Sequence, residues 1–196
     1  MASNARGMKR KPRRKARPVR RTPSRPAKGP LNRQGVFLEE QFDERLQLEM
    51  RRAERYFVFL SLMVMQVDCL DWRGGRWQWR AKRDFLPDVA TILKNNTRDV
   101  DTLFRFDGEK FAFILPETND EGSFEAAQRL RRLVEGAKLT RLTPLSKLRV
   151  SFGLSSFPSD ARNKLQLLKN ARRSLAEAVR QNQRRLPEAA RPQRSR

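Results

Sequence analysis

Two short segments rich in β-forming residues flank a tight turn near the middle of the chain, and they constrain the fold more than any other feature. The first segment covers residues 103–106, the turn contains Gly108, and the second segment begins at Phe111. Aromatic and aliphatic runs of this length around a glycine turn are typical of a β-hairpin. The sequence therefore predicts an antiparallel pair of strands within residues 103–118.

Hydrophobic periodicity predicts the elements on either side of this hairpin. Pro87 is compatible with a helix only in the first turn, and Ser159 or Asp160 is expected to cap the last helix. The order implies an α/β domain in which helices cover a largely antiparallel central sheet. The predicted elements are an amphipathic helix at 37–55, a buried strand at 57–67, helices at 83–96 and 121–135, a strand at 147–157 and a helix at 163–183.

Composition limits the chemistry that this chain can perform. The 196 residues contain one cysteine and no histidine, which excludes a disulfide framework, histidine-based zinc sites and histidine acid–base catalysis. Cys69 lies in an apolar run and is expected to be a small buried side chain. No apolar run approaches about 18 residues, so we expect a cytoplasmic protein without a membrane-spanning helix.

The net charge of +22 is concentrated at the two ends of the chain. Residues 1–30 contain many arginines and lysines, several prolines and no acidic residue. Such a segment buries too little apolar surface to offset its chain entropy, so it is predicted to be disordered. The predicted organisation is a disordered basic arm at 1–35, a lead-in helix at 36–56, a folded domain at 57–183 and a disordered basic tail at 184–196.

Several separated segments carry recognisable motifs. The turn reads Asp107-Gly108-Glu109-Lys110-Phe111. It resembles the signature Gly-Gly-Asp/Glu-Glu-Phe of the GGDEF family, the diguanylate cyclases that make cyclic di-GMP. Leu115-Pro116-Glu117-Thr118 resembles its Leu-Pro-x-Thr exit, and Val150-Ser151-Phe152-Gly153 resembles its Val-Ser-x-Gly strand. The resemblance covers about residues 50–183 and implies the nucleotidyl-cyclase-like fold of that family.

The same resemblance implies that the catalytic site is degenerate. In the family, two acids and a backbone carbonyl hold Mg²⁺ ions for phosphoryl transfer. Here Gln66 replaces the first acid, Glu109 keeps the second, and Lys110 replaces the neighbouring acid. An amide is a poorer ligand for Mg²⁺, and a lysine repels it. We therefore expect no catalytic residue, no metal and no cofactor. The predicted vestigial active site comprises Gln66, Asp68, Asp107, Gly108, Glu109 and Lys110.

Positions that bind the substrate in the family also differ in this chain. Asp71 stands where the family has a phosphate-contacting lysine, and Val179 replaces a lysine of its closing helix. Gly74 and Arg83 lie near the positions of the family's guanine-recognising Asn and Asp. The resemblance therefore predicts loss of substrate binding as well as loss of metal binding.

One ligand motif of the family is retained. Arg98-Asp99-Val100-Asp101 has the pattern and position of its Arg-x-x-Asp inhibitory site, and Arg129 matches an arginine that completes this site in some relatives. Arginine binds phosphate or the guanine O6/N7 edge, and a carboxylate accepts from guanine N–H groups. Arg98, Asp101 and Arg129 are therefore predicted to bind cyclic di-GMP, although an i,i+3 surface pair would give the same local pattern.

The segment Trp72 to Arg80 interleaves aromatic and cationic residues. This composition is typical of single-stranded nucleic-acid sites, but filling of the vacated nucleotide pocket or a partner surface is the interpretation we favour. The basic arm has the charge to bind nucleic acid, an anionic membrane or an acidic protein.

The function predicted from the sequence is that of an inactive cyclic di-GMP receptor that signals to a protein partner. A homodimer bridged by the ligand is one form that this signalling can take. Two alternatives remain open at this stage. One is an adaptor that binds no nucleotide and docks through its Trp/Arg segment and tails, and the other is a nucleic-acid-associated protein.

Overall fold

The computed structural model describes residues 36–80, 83–106 and 110–184. The predicted basic arm, residues 185–196 of the predicted tail, and the turn residues Asp107, Gly108 and Glu109 lie outside these ranges. A short 3-10 helix covers Glu39–Gln41. The helices are α1 Phe42–Tyr56, α2 Leu86–Asn95, α3 Asp120–Glu135 and α4 Lys164–Arg184, and the strands are β1 Leu60–Arg73, β2 Arg76–Trp79, β3 Thr102–Phe106, β4 Lys110–Pro116 and β5 Ser146–Phe157.

The five strands form one sheet in which every strand pairing is antiparallel. β5 pairs with residues 60–71 of β1 along one edge. A strand has two edges, so β4 and β2 share the other edge of β1, where they pair with residues 60–66 and 70–73 respectively. β3 pairs with the far edge of β4, which confirms the predicted hairpin and the predicted antiparallel sheet.

Helices cover both faces of this sheet, so the central strand is apolar on both sides. Leu62 and Val64 of β1 pack in the core formed with α1 and α4, whereas Met63 and Met65 pack in the core formed with α2 and α3. Successive side chains of a strand point to opposite faces. Burial on both faces explains why β1 is a nearly continuous apolar run, as predicted for a central strand.

The lead-in helix begins later than the sequence predicts. The backbone N–H of Phe37 donates to the Leu103 carbonyl at 3.0 Å, and its carbonyl accepts from Arg105 N–H at 2.9 Å. These bonds hold residue 37 extended against β3, so α1 starts only at Phe42. Leu38, which lies within the predicted helix but before α1, is 38% exposed.

The predicted cap of the last helix is also corrected by the structure. Asn163 Oδ1 accepts from Gln166 N–H at 2.9 Å, so Asn163 performs this role at the start of α4. Asp160 Oδ2 instead accepts from Ser156 N–H at 2.9 Å and closes the turn after β5. Pro87 lies in the first turn of α2, as predicted.

Cys69 is fully buried between the sheet and the α2–α3 layer, as its apolar neighbours indicate. Burial, together with the nearby Asp71 carboxylate, raises the pKa of the Cys69 thiol to about 11. The side chain is therefore a neutral thiol at physiological pH. None of the helices within residues 36–80, 83–106 and 110–184 is both long and apolar enough to span a membrane.

Candidate functional site

The loop between α2 and β3 places Arg98 and Asp101 at the two ends of a tight turn. Asp101 N–H donates to the Arg98 carbonyl at 3.1 Å, and Asp101 Oδ2 accepts from Arg98 N–H at 3.3 Å. Thr97 Oγ1 donates to the Leu93 carbonyl at 2.6 Å and closes the end of the helix before the turn. The predicted i,i+3 relation is therefore a hydrogen-bonded turn in which the Arg98 side chain stays exposed.

Asp101 is a buried carboxylate at the floor of this turn. It is 7% exposed, and its Oδ1 atom has no hydrogen-bond partner among the described residues. Burial raises the pKa of Asp101 above its ordinary value, although the Arg98 backbone N–H and the charges of Arg98, Arg129 and Lys94 oppose that shift. An acceptor oxygen buried without a donor is costly, so this site favours a ligand that brings N–H groups.

Arg129 reaches the same loop from α3. Its Nη1 atom donates to the Asn96 carbonyl at 2.8 Å, close to the start of the Arg98 turn. Arg98 and Arg129 are both exposed, and the positive charge of each acts on the Asp101 carboxyl. The three residues predicted to bind one ligand are therefore brought together, as two exposed guanidinium groups beside one buried carboxylate.

The predicted vestigial active site lies where β1 and β4 meet. Gln66 pairs directly with Lys110 across these strands, and Gln66 Nε2 donates to Asp68 Oδ2 at 3.0 Å. Arg83 Nη1 donates to Asp68 Oδ1 at 3.0 Å and to the Val67 carbonyl at 3.3 Å. The Asp68 carboxylate therefore accepts from an amide and a guanidinium, and the Val67 carbonyl accepts from the same guanidinium. Asp107, Gly108 and Glu109 of the predicted set lie outside the described residues.

A cavity of about 410 Å³ opens between this part of the sheet and α4. Gln66 and Lys110 line one side, and Arg172 and Arg180 of α4 line the other. The Arg172 guanidinium lies 4.9 Å from the Phe106 ring centroid. Neither arginine belongs to the site predicted from the sequence, although their eight-residue spacing puts them on one helical face.

Asp71 is buried in a network of donors beside this region. It accepts from Ser146 Oγ at 2.7 Å, from Arg73 at 2.9 Å and from Arg80 at 3.1 Å. Burial alone would raise the pKa of Asp71, but the hydrogen bonds from Ser146, Arg80 and Arg73 outweigh it and lower the pKa below its ordinary value. Asp71 therefore ties the end of β1 to the first residue of β5 and to Arg80, which follows β2.

The segment Trp72 to Arg80 contains most of a β-hairpin. Trp72 pairs with Trp77 and Leu70 pairs with Trp79, so β2 extends the sheet. Gly74 and Gly75 have φ angles of 56° and 77°, a left-handed conformation that favours glycine and suits a two-residue hairpin turn.

Comparison with known proteins identifies the family of this fold. The family model described as "Diguanylate cyclase, GGDEF domain" matches residues 35–185. The diguanylate cyclase DgcZ of Escherichia coli is 31% identical over 124 residues, which cover 63% of this chain and 40% of that protein. Diguanylate cyclase A of Treponema denticola is 27% identical over 119 residues, which cover 61% of this chain and 32% of that protein. The chain thus matches less than half of the length of either relative.

Solved structures show the same fold. The GGDEF domain of YfiN from Pseudomonas aeruginosa superposes with a TM-score of 0.62 at 21% identity, covering 81% of this chain and 90% of that chain. The GGDEF domain of DgcB from Caulobacter crescentus, solved in complex with cyclic di-GMP, gives a TM-score of 0.60 at 19% identity, covering 76% of this chain and 85% of that chain. With the family match over most of its length, this chain belongs to the GGDEF family.

Proposed function

We propose that this chain is a catalytically inactive GGDEF domain that works as a receptor for cyclic di-GMP and signals to a protein partner. The observation that carries the proposal is the cluster of Arg98, Asp101 and Arg129, in which two exposed guanidinium groups lie beside a buried carboxylate. Cyclic di-GMP offers two phosphodiesters and two guanine edges. Guanidinium groups suit the phosphates, and a carboxylate suits the guanine N–H donors.

The state of Asp101 supports a ligand with donors. Its Oδ1 atom is buried without a partner among the described residues, so the protein itself supplies no donor to this acceptor there. The N1–H and N2–H₂ groups of guanine would supply donors to that oxygen. A phosphate alone would not, because phosphate at neutral pH brings acceptors and further negative charge. The three side chains therefore favour an arrangement in which Asp101 binds guanine and Arg98 and Arg129 contact the phosphates.

The donor set around Gln66 supports the absence of catalysis. Magnesium prefers carboxylate, carbonyl and water oxygens. Here Gln66 offers an amide whose nitrogen is directed to Asp68, and Arg83 donates to the Val67 carbonyl and to Asp68. Lys110 lies directly opposite Gln66 in the strand register. These described residues do not fit a pair of divalent cations, since a guanidinium and an ammonium occupy their surroundings.

We expect the protein to form no cyclic di-GMP from GTP with either Mg²⁺ or Mn²⁺. The physical reason is that Gln66 and Lys110 replace two acids of the family's catalytic site, and that Arg83 adds a positive charge at Asp68. Chromatography of the nucleotide products, with an active diguanylate cyclase as positive control, checks this result. Product formation that disappears in Glu109→Ala would contradict it.

Calorimetric titration of the full chain with cyclic di-GMP tests the receptor function. A dissociation constant of about 1 μM or lower is expected, which corresponds to about −8 kcal/mol. GMP is the matched control, because it offers one guanine and no phosphodiester bridge. Absence of heat and of chemical-shift changes at high ligand concentration would leave the adaptor that binds no nucleotide as the better description. A change in oligomeric state on titration would indicate a ligand-bridged dimer.

The affinity for cyclic di-GMP should fall as the solution becomes acidic. Binding uses the charged carboxylate of Asp101, whose pKa is raised by burial above the ordinary value of 3.8. Protonation therefore begins at a higher pH than for an exposed aspartate, and it removes an acceptor. Titrations from neutral pH down to the acid limit of folding check this. The Asp101→Asn variant should bind weakly, with an affinity that depends less on pH. Equal pH dependence in both proteins would show that Asp101 is not the group involved.

A further inference from the structure

All three tryptophans of the chain lie on one face of the β1–β2 hairpin. Trp72 pairs with Trp77, and Trp79 pairs with Leu70, two residues before Trp72. Directly paired residues share a face of the sheet, and so do residues two apart on a strand. The indoles of Trp72 and Trp77 meet edge to face with centroids 5.2 Å apart. Trp72 is 42% exposed, and Trp77 and Trp79 are partly exposed, so solvent reaches part of each indole.

Positive charge borders the same face. Lys147 and Arg149 of β5 pair with Leu70 and Asp68 of β1, which places both cations on the tryptophan side of the sheet. Both are exposed, and Lys147 Nζ lies 4.6 Å from the Trp77 ring centroid. Among the described residues of these three strands, the acid that shares this face is Asp68. It is 6% exposed and pairs with Arg83, so it contributes little negative potential.

The hairpin is held in place before any ligand arrives. Asp71, on its opposite face, binds Ser146, Arg73 and Arg80. Arg80 also pairs with Asp84 at 3.2 Å, beyond β2. Trp77 and Trp79 pack on the buried side chain of Leu70, which limits their movement. A rigid aromatic surface loses little conformational entropy on binding.

We propose that this surface, formed by Trp72, Trp77, Trp79, Lys147 and Arg149, binds single-stranded nucleic acid. Bases would stack on the indoles while the two cations contact the phosphates, which is the combination that sequence-tolerant single-strand sites use. The net charge of +22 disfavours a second copy of the chain or its own basic tails as occupant. An acidic peptide would satisfy the cations, but it would leave the flat indole surfaces without stacking partners. This site is separate from the proposed cyclic di-GMP residues.

Intrinsic fluorescence reports on this surface specifically, because the chain has no tryptophan elsewhere. The full chain is titrated with a deoxythymidine oligonucleotide of about 16 nucleotides. An abasic oligonucleotide of the same length keeps the phosphates and removes the bases. Stacking predicts strong quenching by the first probe and little by the second. Equal fluorescence responses to both would overturn the proposal, because the phosphates alone would then account for binding.

Variants measured with a labelled oligonucleotide separate this surface from the basic arm. Trp72→Ala is expected to weaken binding about tenfold, whereas truncation of the 94% exposed Phe57 to alanine should leave it unchanged. The pair Lys147→Gln and Arg149→Gln should weaken binding and reduce the salt slope by about 1.4. The matched pair Lys169→Gln and Arg173→Gln, exposed on α4, keeps the same net charge and should retain that slope.

Two results would overturn the proposal in different ways. If all four sets of variants bind like the wild type, the basic tails alone hold the oligonucleotide. If a poly-glutamate peptide quenches the tryptophans and binds as tightly as the oligonucleotide, the surface is a docking site for an acidic protein. The Arg98→Ala variant should lose affinity for cyclic di-GMP and keep the oligonucleotide affinity of the wild type. The two sites are therefore tested independently.

Discussion

Replacing Gly153 with alanine is expected to destabilise the domain by about 3 kcal/mol or more. A Cβ atom at this position would collide with the backbone of α4, at the Ala171 carbonyl and the Leu175 N–H, and would lie 2.8 Å from Leu175 Cα. Backbone atoms cannot rotate away as a side-chain end can. The helix would have to move off the sheet, which would separate Ala171 and Leu175 from the core that they share with β1.

Urea unfolding followed by circular dichroism measures this effect as a lower midpoint with a similar slope. Gly122→Ala in α3 is the matched control. Its added Cβ would meet side-chain atoms of Asn119 and Thr118 at 3.2 Å, and alanine favours the helix, so a change within about 1 kcal/mol is expected. Equal midpoints for the wild type and Gly153→Ala would show that β5 and α4 are further apart than the structure indicates.

Replacing Arg98 with alanine is expected to reduce the affinity for cyclic di-GMP about tenfold or more. A charge-assisted hydrogen bond contributes about 1.5–3 kcal/mol, and about 1.4 kcal/mol corresponds to a factor of ten. The side chain of Arg98 is exposed, so its removal should leave the fold intact. Calorimetric titration gives the affinity, and the urea midpoint confirms that the variant is folded.

Arg129→Ala should weaken binding less than Arg98→Ala. Arg129 donates to the Asn96 carbonyl at 2.8 Å, so part of its hydrogen bonding would be exchanged rather than gained on binding. Arg173→Ala, which removes an exposed arginine from α4, is the control for the loss of one positive charge. If Arg173→Ala and Arg98→Ala weaken binding equally, the effect is a general electrostatic one and the proposed site is wrong.

The order of the elements other than β2 was predictable from the pattern of apolar residues along the chain. The two apolar segments on either side of Gly108 predicted the β3–β4 hairpin, and the apolar run before Gln66 predicted the buried central strand. Burial on both faces produces such a run, so the local pattern and the tertiary environment agree. The helices α2, α3 and α4 were likewise predictable from apolar residues repeated every three or four positions.

The boundaries that were wrong depend on contacts between distant residues. Phe37 leaves the helical pattern because its backbone bonds to Leu103 and Arg105 of β3, which periodicity does not show. The sequence analysis predicts no strand at Trp72–Trp79, although Gly74-Gly75 between alternating aromatic residues is a hairpin signal. The arginines between the tryptophans are typical of a binding segment and conceal the two-residue alternation of a strand.

The candidate site was predictable where its residues are close in sequence. Arg98 and Asp101 share one turn, and Arg129 was identified by resemblance alone before the structure brought it to Asn96. Arg172 and Arg180 were not predicted, because their place in the cavity wall depends on α4 crossing the sheet beside Gln66. A helix surface rich in arginines gives no indication of which of them faces a cavity.

The position of β5 in the chain has a consequence for synthesis on the ribosome. β2 and β4 follow β1 closely in the sequence, so one edge of β1 can pair soon after synthesis. Its other edge pairs with β5 only after residues 146–157 have emerged, and the partner of Leu60 is Phe157. Until then the nascent polypeptide presents an open edge of its central strand, which favours association with other chains. The β1 edge is therefore unpaired from completion of the β3–β4 hairpin until β5 emerges, and we expect chaperones to be needed most in that interval.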